Sequence, residues 1–283
     1  MKNSAARKLK QVPAGYLWVG VDPHKKRHAA VAMTEDLTTQ SKFKFANSRR
    51  GFEEALERVQ AEMVRTSCRG IIFAIETASH YWRNFAYFLD EMGTPFRLIN
   101  QFTLKRRREG KDLNRRKNDY RDAEVAGQLL GSGEFTETRL LQGVYAELRA
   151  AYNAYRRLVK ERTRITNLVK GLLDGLFPEF TQVFKDPCGQ TALSVLRTCP
   201  IPKIIAGMTE QEFINTIRAG HLGRLMKRKL LALHYAARTS IGIAAGAQSV
   251  FLEISGLIEK LHLIQRQIDR LEEAMEGLVD ETW

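Results

Sequence analysis

YLWVGVD (residues 16–22) is a short apolar run, rich in aromatic and β-branched residues, that ends in an acid. Such a run, bounded by turn residues, predicts a buried strand. RHAAVAMT (27–34) and SKFKFAN (41–47) follow at hairpin-like spacing. GIIFAIE (70–76) repeats the first pattern and again closes on an acid, and TPFRLIN (94–100) predicts a fifth strand. Between them, SRRGFEEALERVQAEMV (48–64) places Phe52, Leu56, Val59 and Met63 on one helical face, with Ser48 as N-cap. SHYWRNFAYFLDEMG (79–93) reads as a helix closed by Gly93. Three strands, helix, strand, helix, strand, helix is an α/β order. The first three strands predict an antiparallel meander, and the later ones, joined by helical crossovers, run parallel to the first. With YLWVGVD and GIIFAIE as neighbours, Asp22 and Glu76 emerge at the same end of the sheet.

The next helix begins in KNDYRDAEVAGQLL (117–130), where Asp119 and Asp122 stand three residues apart and therefore share a helical face. An isolated D-x-x-D at a helix start is ordinarily a capped surface helix, its acids favoured by the macrodipole. Here KRRREGKDLNRRK (105–117) leads into it with eight basic residues: Lys105, Arg106, Arg107, Arg108, Lys111, Arg115, Arg116 and Lys117. No matching acidic stretch balances them, which suits a phosphate-tracking role. Lys25, three residues after Asp22, is a further candidate for a phosphate contact, though it reads equally as an exposed lysine at a strand end.

The second half changes character. From 139 to 177 the apolar positions Leu141, Val144, Leu148, Ala151, Tyr155, Leu158, Ile165, Val169, Leu172 and Leu176 step by three and four, interrupted by Arg162. From 250 to 278 the pattern returns in Val250, Ile254, Leu257, Leu261, Ile264, Ile268, Leu271, Met275 and Leu278. These are heptad repeats, and they predict a coiled coil, as an antiparallel hairpin or a dimerising arm. FPEFTQVFKDPCG reads as a turn region, and 190–240 as shorter helices broken near Pro200, Pro202 and Gly220. The expected organisation is a basic, loose N-terminus (1–15), an α/β domain (16–136) and an all-α coiled-coil domain with a small helical insert (137–283).

The chain has 283 residues and a net charge of +13. That excess favours a polyanionic partner, above all nucleic acid, through phosphate neutralisation and counterion release. No apolar run is long enough to span a bilayer, and no signal sequence opens the chain. The three cysteines, Cys68, Cys188 and Cys199, form no C-x-x-C pair, so neither a disulfide framework nor a zinc site is indicated and a reducing cytoplasm fits. His24 and His80 have no spacing that supports a histidine-based metal site. The aromatic run at 80–82 is read as packing against the sheet in preference to stacking on a base.

Four acids thus have matching positions: Asp22 and Glu76 at strand ends, Asp119 and Asp122 on the following helix. Carboxylates gathered this way raise one another's pKa, and a divalent cation removes the conflict. Mg²⁺, or Mn²⁺ in its place, takes hard oxygen ligands and shares its shell with substrate phosphates. A pair of such ions can clamp both the attacking and the leaving oxygen in phosphoryl transfer.

VGVDPHKK (19–26), AIETASHYW (74–82), RLINQFTLKRRR (97–108) and KNDYRDAEVAGQLL (117–130) together resemble the RuvC-like, ribonuclease-H-fold domain of the DEDD insertion-sequence transposases. That group includes the Piv-type invertases and the bridge-RNA-guided recombinases. Residues 148–173 and 257–278 resemble the family's two coiled-coil helices, so the likeness spans nearly the whole chain. It implies that Asp22, Glu76, Asp119 and Asp122 are the metal-binding quartet; Asn118 stands where threonine is common. It implies DNA strand cleavage and exchange, a structured guide RNA, homo-oligomers (dimer or tetramer) built through the coiled coil, no membrane, and a place near the nucleoid of a bacterial or archaeal cell. It also implies a further domain bearing a nucleophilic serine. The chain ends at VDETW, and Ser240 and Ser249 do not match that serine's context. The expectation is therefore half of a composite active site, binding metal and nucleic acid without complete recombination. The alternatives are a hydrolytic nuclease of the junction-resolvase kind, in which water replaces serine, and a non-catalytic regulator derived from a transposase. An actin-like sugar kinase also begins with a strand ending in Asp, but no later Gly-rich phosphate loops accompany it here.

Overall fold

The computed structural model describes residues 7–111, 118–136, 140–221 and 224–280. The chain divides into two compact units at Leu140/Leu141. The first is α/β and the second all-α.

In the first unit five strands, β1 (Tyr16–Asp22), β2 (Arg27–Met33), β3 (Thr39–Ala46), β4 (Gly70–Glu76) and β5 (Phe96–Ile99), form one sheet in the order β3-β2-β1-β4-β5. The β1–β2 and β2–β3 pairs are antiparallel, whereas β1–β4 and β4–β5 are parallel. Val21 is in register with Ile75, so Asp22 and Glu76 leave adjacent strand ends side by side. Alternation along β1 separates two cores. Leu17, Val19 and Val21 face α1 (Arg49–Arg65) and α2 (Trp82–Glu91), packing with Phe52, Leu56, Phe85 and Leu89. Trp18 and its neighbours Val31, Ile72 and Ala74 face α3 (Gln101–Lys111) and α4 (Asp119–Gly131). Ser48 caps α1 by accepting from the Gly51 N–H, and Gly93 ends the α2 region with φ +62°, a conformation only glycine takes without cost.

The basic stretch, for which the sequence predicts no element, is helical as far as Lys111 and forms α3. Lys and Arg are good helix formers, the Asn100 Oδ1 accepts from the Phe102 N–H at the start, and Leu104 is buried against the sheet. Too few apolar residues mark that helix for periodicity to reveal it.

Helix α4 crosses β1 closely. A Cβ on Gly20 would lie 1.8 Å from the Ala123 carbonyl oxygen and 2.7 Å from the Gly127 nitrogen. Helix and strand backbones therefore touch, and the first turn of α4 sits over the end of β1.

In the second unit two long helices, α5 (Gly143–Leu176) and α11 (Ala247–Asp280), pair antiparallel. The Ile243 N–H donates to the Gly175 carbonyl near one end, and Arg162 donates to the Gln265 Oε1 farther along. Arg162 thus bridges the hairpin. Ile165, Val169, Leu173 and Leu176 pack with Ile254, Leu257, Leu261, Ile264 and Ile268. Among the described residues, five shorter helices between Phe180 and Arg238 close this core around Phe177, Phe180, Phe213 and Leu233. The segment read as a turn contains one of them, Phe180–Val183, because its three phenylalanines are buried. No helix among the described residues is long and apolar enough to cross a membrane.

Gly20→Ala forces backbone apart from backbone, so a loss of about 1–3 kcal/mol is expected, at the upper end because no flexible side chain can yield; urea denaturation reads it. His28 provides a pH test. It is fully buried, 5.0 Å from the Phe45 ring and 5.7 Å from Phe52, and accepts from the His24 backbone N–H. Burial lowers its pKa from 6.5 to about 4. The unfolded chain then binds the extra proton, so this contribution is fully present above pH 6.5 and is lost as pH falls toward 4. The expected loss is roughly 3 kcal/mol across that window, and His28→Phe should flatten it in melting curves recorded against pH.

Candidate metal centre

Each acid is delivered by a different local rule. Asp22 and Glu76 are the last residues of parallel neighbours β1 and β4. Asn118 caps α4 by accepting from the Tyr120 N–H, which places Asp119 and Asp122 in the first turn. The crossing at Gly20 brings that turn over Asp22. Three of the acids are buried, Asp22 at 5%, Glu76 at 7% and Asp122 at 3% exposure, while Asp119 is half-buried. Asp22, Glu76 and Asp122 line a cleft of about 470 Å³ together with His24, Tyr81 and Arg108.

The acids do not form one symmetric cluster. Asp22, His24 and Asp119 each offer one ligand atom, and these atoms lie within 4.8 Å of one another. His24 Nε2 stands 3.1 Å from Asp22 Oδ2 and 3.5 Å from Asp119 Oδ1. Asp22 Oδ2 and His24 Nε2 are nevertheless both buried without a properly aligned hydrogen bond. Two carboxylate oxygens and an imidazole nitrogen facing each other form a ligand set of the kind that divalent cations take. Asp119 is also held by Lys44 at 2.7 Å, reaching in from the edge strand β3. Glu76 lies beside Asp22, and its side chain helps to hold the Asp22 carboxyl down. Asp122 binds Arg108 Nη1 at 2.8 and 2.9 Å.

Burial pushes the Asp22 carboxyl above its ordinary range; His24 and the Glu76 hydrogen bond oppose this, and the Asp122 and Asp119 charges add to it. A buried acid with a raised pKa costs stability when ionised.

The expected basic contacts divide. Lys25 and Arg106 are exposed. Lys105 lies 3.9 Å from Glu109, and Arg107 meets Ser132 and Glu134. Arg108 turns to Asp122, where its charge is already matched by a carboxylate. Lys111 is the last residue of α3, and Arg115, Arg116 and Lys117 lie outside the described residues. Sequence reasoning passed over His24 as a ligand and did not single out Lys44. The signal for His24 was its place two residues beyond a strand-end acid; for Lys44 it was strict alternation in SKFKFAN, which puts Lys42 and Lys44 opposite the buried Phe43 and Phe45.

The model of the IS110-type DEDD transposase family, described as "Transposase", matches residues 19–178. No curated protein matches. Among solved structures, T. thermophilus RuvC in complex with Holliday junction substrate is similar over 41% of this chain and 91% of its own, at 11% identity and a TM-score of 0.28. A second Thermus thermophilus RuvC structure is similar over the same shares, at 13% identity and a TM-score of 0.27.

Asp22→Asn should separate stability from metal binding. Without metal its melting temperature should equal or exceed that of the parent, because a buried charge is removed. With Mn²⁺ at a hundredfold excess over Kd the parent should gain about 2.7 kcal/mol, and the variant should gain little. Calorimetric melting with and without Mn²⁺ reads both.

Proposed function

The chain belongs to the IS110-type DEDD transposase family, and on that premise we propose that its first unit is a divalent-metal-dependent phosphoryl-transfer site acting on DNA. The observation that carries the reading is the meeting of Asp22, His24 and Asp119 within 4.8 Å, beside a cleft that Glu76 and Asp122 also line. Asp22 and Asp119, with His24, would hold the ion; Glu76 and Asp122 would complete or orient its shell. Bound there, a divalent cation would withdraw charge from the scissile phosphate and position the attacking oxygen. Lys44 steadies Asp119, and the α4 N-terminus adds a positive dipole end toward an anion. The exposed Lys25 and Arg106, with Lys105, suit contacts to the DNA backbone on either side.

The finer reading is a recombinase that exchanges strands through a serine nucleophile, guided by a structured RNA and assembled as a dimer or tetramer. The helical unit supports the partners. On α5, Tyr145, Arg149, Tyr152 and Arg156 share one exposed face, with Tyr145 at 66% and Tyr152 at 46% exposure and Arg156 over the Tyr152 ring. Aromatic and cationic side chains interleaved in this way suit nucleic acid. Beyond Ile268 the heptad positions Leu271, Met275 and Leu278 are only half-buried, which suits a seam with a second copy.

A Mn²⁺-dependent cleavage assay on DNA tests the proposal. Cleavage should appear with the parent and fall about a thousandfold or more in Asp119→Ala. A strand covalently linked to protein indicates the serine route, whereas free ends indicate the hydrolytic nuclease. Unchanged DNA binding with no product from either chain would leave the regulator reading in its place.

A further inference from the structure

The two halves of the acid cluster differ in where their counter-charge comes from. Asp22, His24 and Asp119 gather within 4.8 Å, and Asp22 Oδ2 and His24 Nε2 make no aligned hydrogen bond. Asp122 has its cation already. A single guanidinium nitrogen of Arg108 contacts both of its oxygens, at 2.8 and 2.9 Å. That carboxylate is nearly inaccessible, while the Arg108 side chain stays a quarter exposed along the cleft.

We infer that Arg108 is an internal stand-in for a second cation: it holds Asp122 closed to metal in the DNA-free chain and releases it when a DNA phosphate enters the cleft. The inference rests on the metal reading above and concerns how that site is loaded. A divalent ion and a guanidinium cannot share one buried carboxylate without mutual repulsion. Arginine leaves readily for a phosphate, because its planar fork matches phosphate and carboxylate equally well. The exchange replaces one charge-assisted pair with another and frees Asp122 at the moment the substrate arrives. Arg108 can make the move because it sits in the last turns of α3, on a side chain long enough to keep its stem on the helix while its head swings. The chain would then carry one divalent ion at rest and acquire the second only with DNA, so a fully charged site never stands open to stray phosphodiesters. Arg108 acts here through Asp122 and is a positioning residue.

The test counts Mn²⁺ ions bound to the full chain by calorimetry and by the paramagnetic signal of free Mn²⁺. The parent should bind one ion per chain in the accessible range. Arg108→Gln, which keeps a hydrogen bond for Asp122 but removes the charge, should bind a second ion within the same Mn²⁺ range. Arg108→Lys should restore the single-ion count. Arg108→Gln/Asp122→Asn should return to one ion while remaining folded, which guards against misreading a destabilised variant. An unchanged count and affinity in Arg108→Gln would reduce Arg108 to a structural ion pair and overturn the inference, leaving the metal reading intact. Loss of the first ion in Arg108→Gln would also overturn it. Absence of any Mn²⁺ binding by all four chains would remove the metal reading itself, and this inference with it.

Discussion

The first unit depends on one close approach: the backbone of α4 against the backbone of β1 at Gly20, Ala123 and Gly127. A helix ordinarily stands off a sheet by the depth of two side-chain layers. Here the strand has no side chain at the contact and the helix has only small ones, so the two axes come together. The first turn of α4 is lowered onto the sheet end, and Asp122 becomes as buried as Asp22. Had Gly20 been an alanine, its methyl would occupy the place of the Ala123 carbonyl, and the acids on strand and helix would face each other across a wider gap.

That approach has an electrostatic consequence. Carboxylates packed against each other with little water must share protons, find cations or pay for their charge. Glu76 lies beside Asp22, Lys44 takes Asp119, and Arg108 takes Asp122. Asp22 Oδ2 and His24 Nε2, 3.1 Å apart, make no aligned hydrogen bond.

The helical unit follows a different economy. Its core is long and local, built by two helices whose apolar positions recur every three or four residues and by small helices that close one end. The apolar pattern outruns the burial: it continues past Ile268 on α11 and before Ile165 on α5, where the same heptad positions are only half-covered.

The sequence by itself determined the period-two strands, their order, the heptad helices and the four acids. Each of those is written in local spacing, and local spacing is set by the geometry of strand and helix alone. Its reading stopped at α3, whose basic residues conceal a single buried leucine, and at the turn region, whose phenylalanines serve a core rather than a turn. Only the tertiary structure decided which cation each acid meets. Lys44 reaches Asp119 across 75 positions of chain, and Arg108 reaches Asp122 from a neighbouring helix. His24 joins the site because its turn folds back over the sheet end. Those pairings depend on strand register and on the depth at which a helix seats on a sheet, and both are settled by packing between segments far apart in the chain.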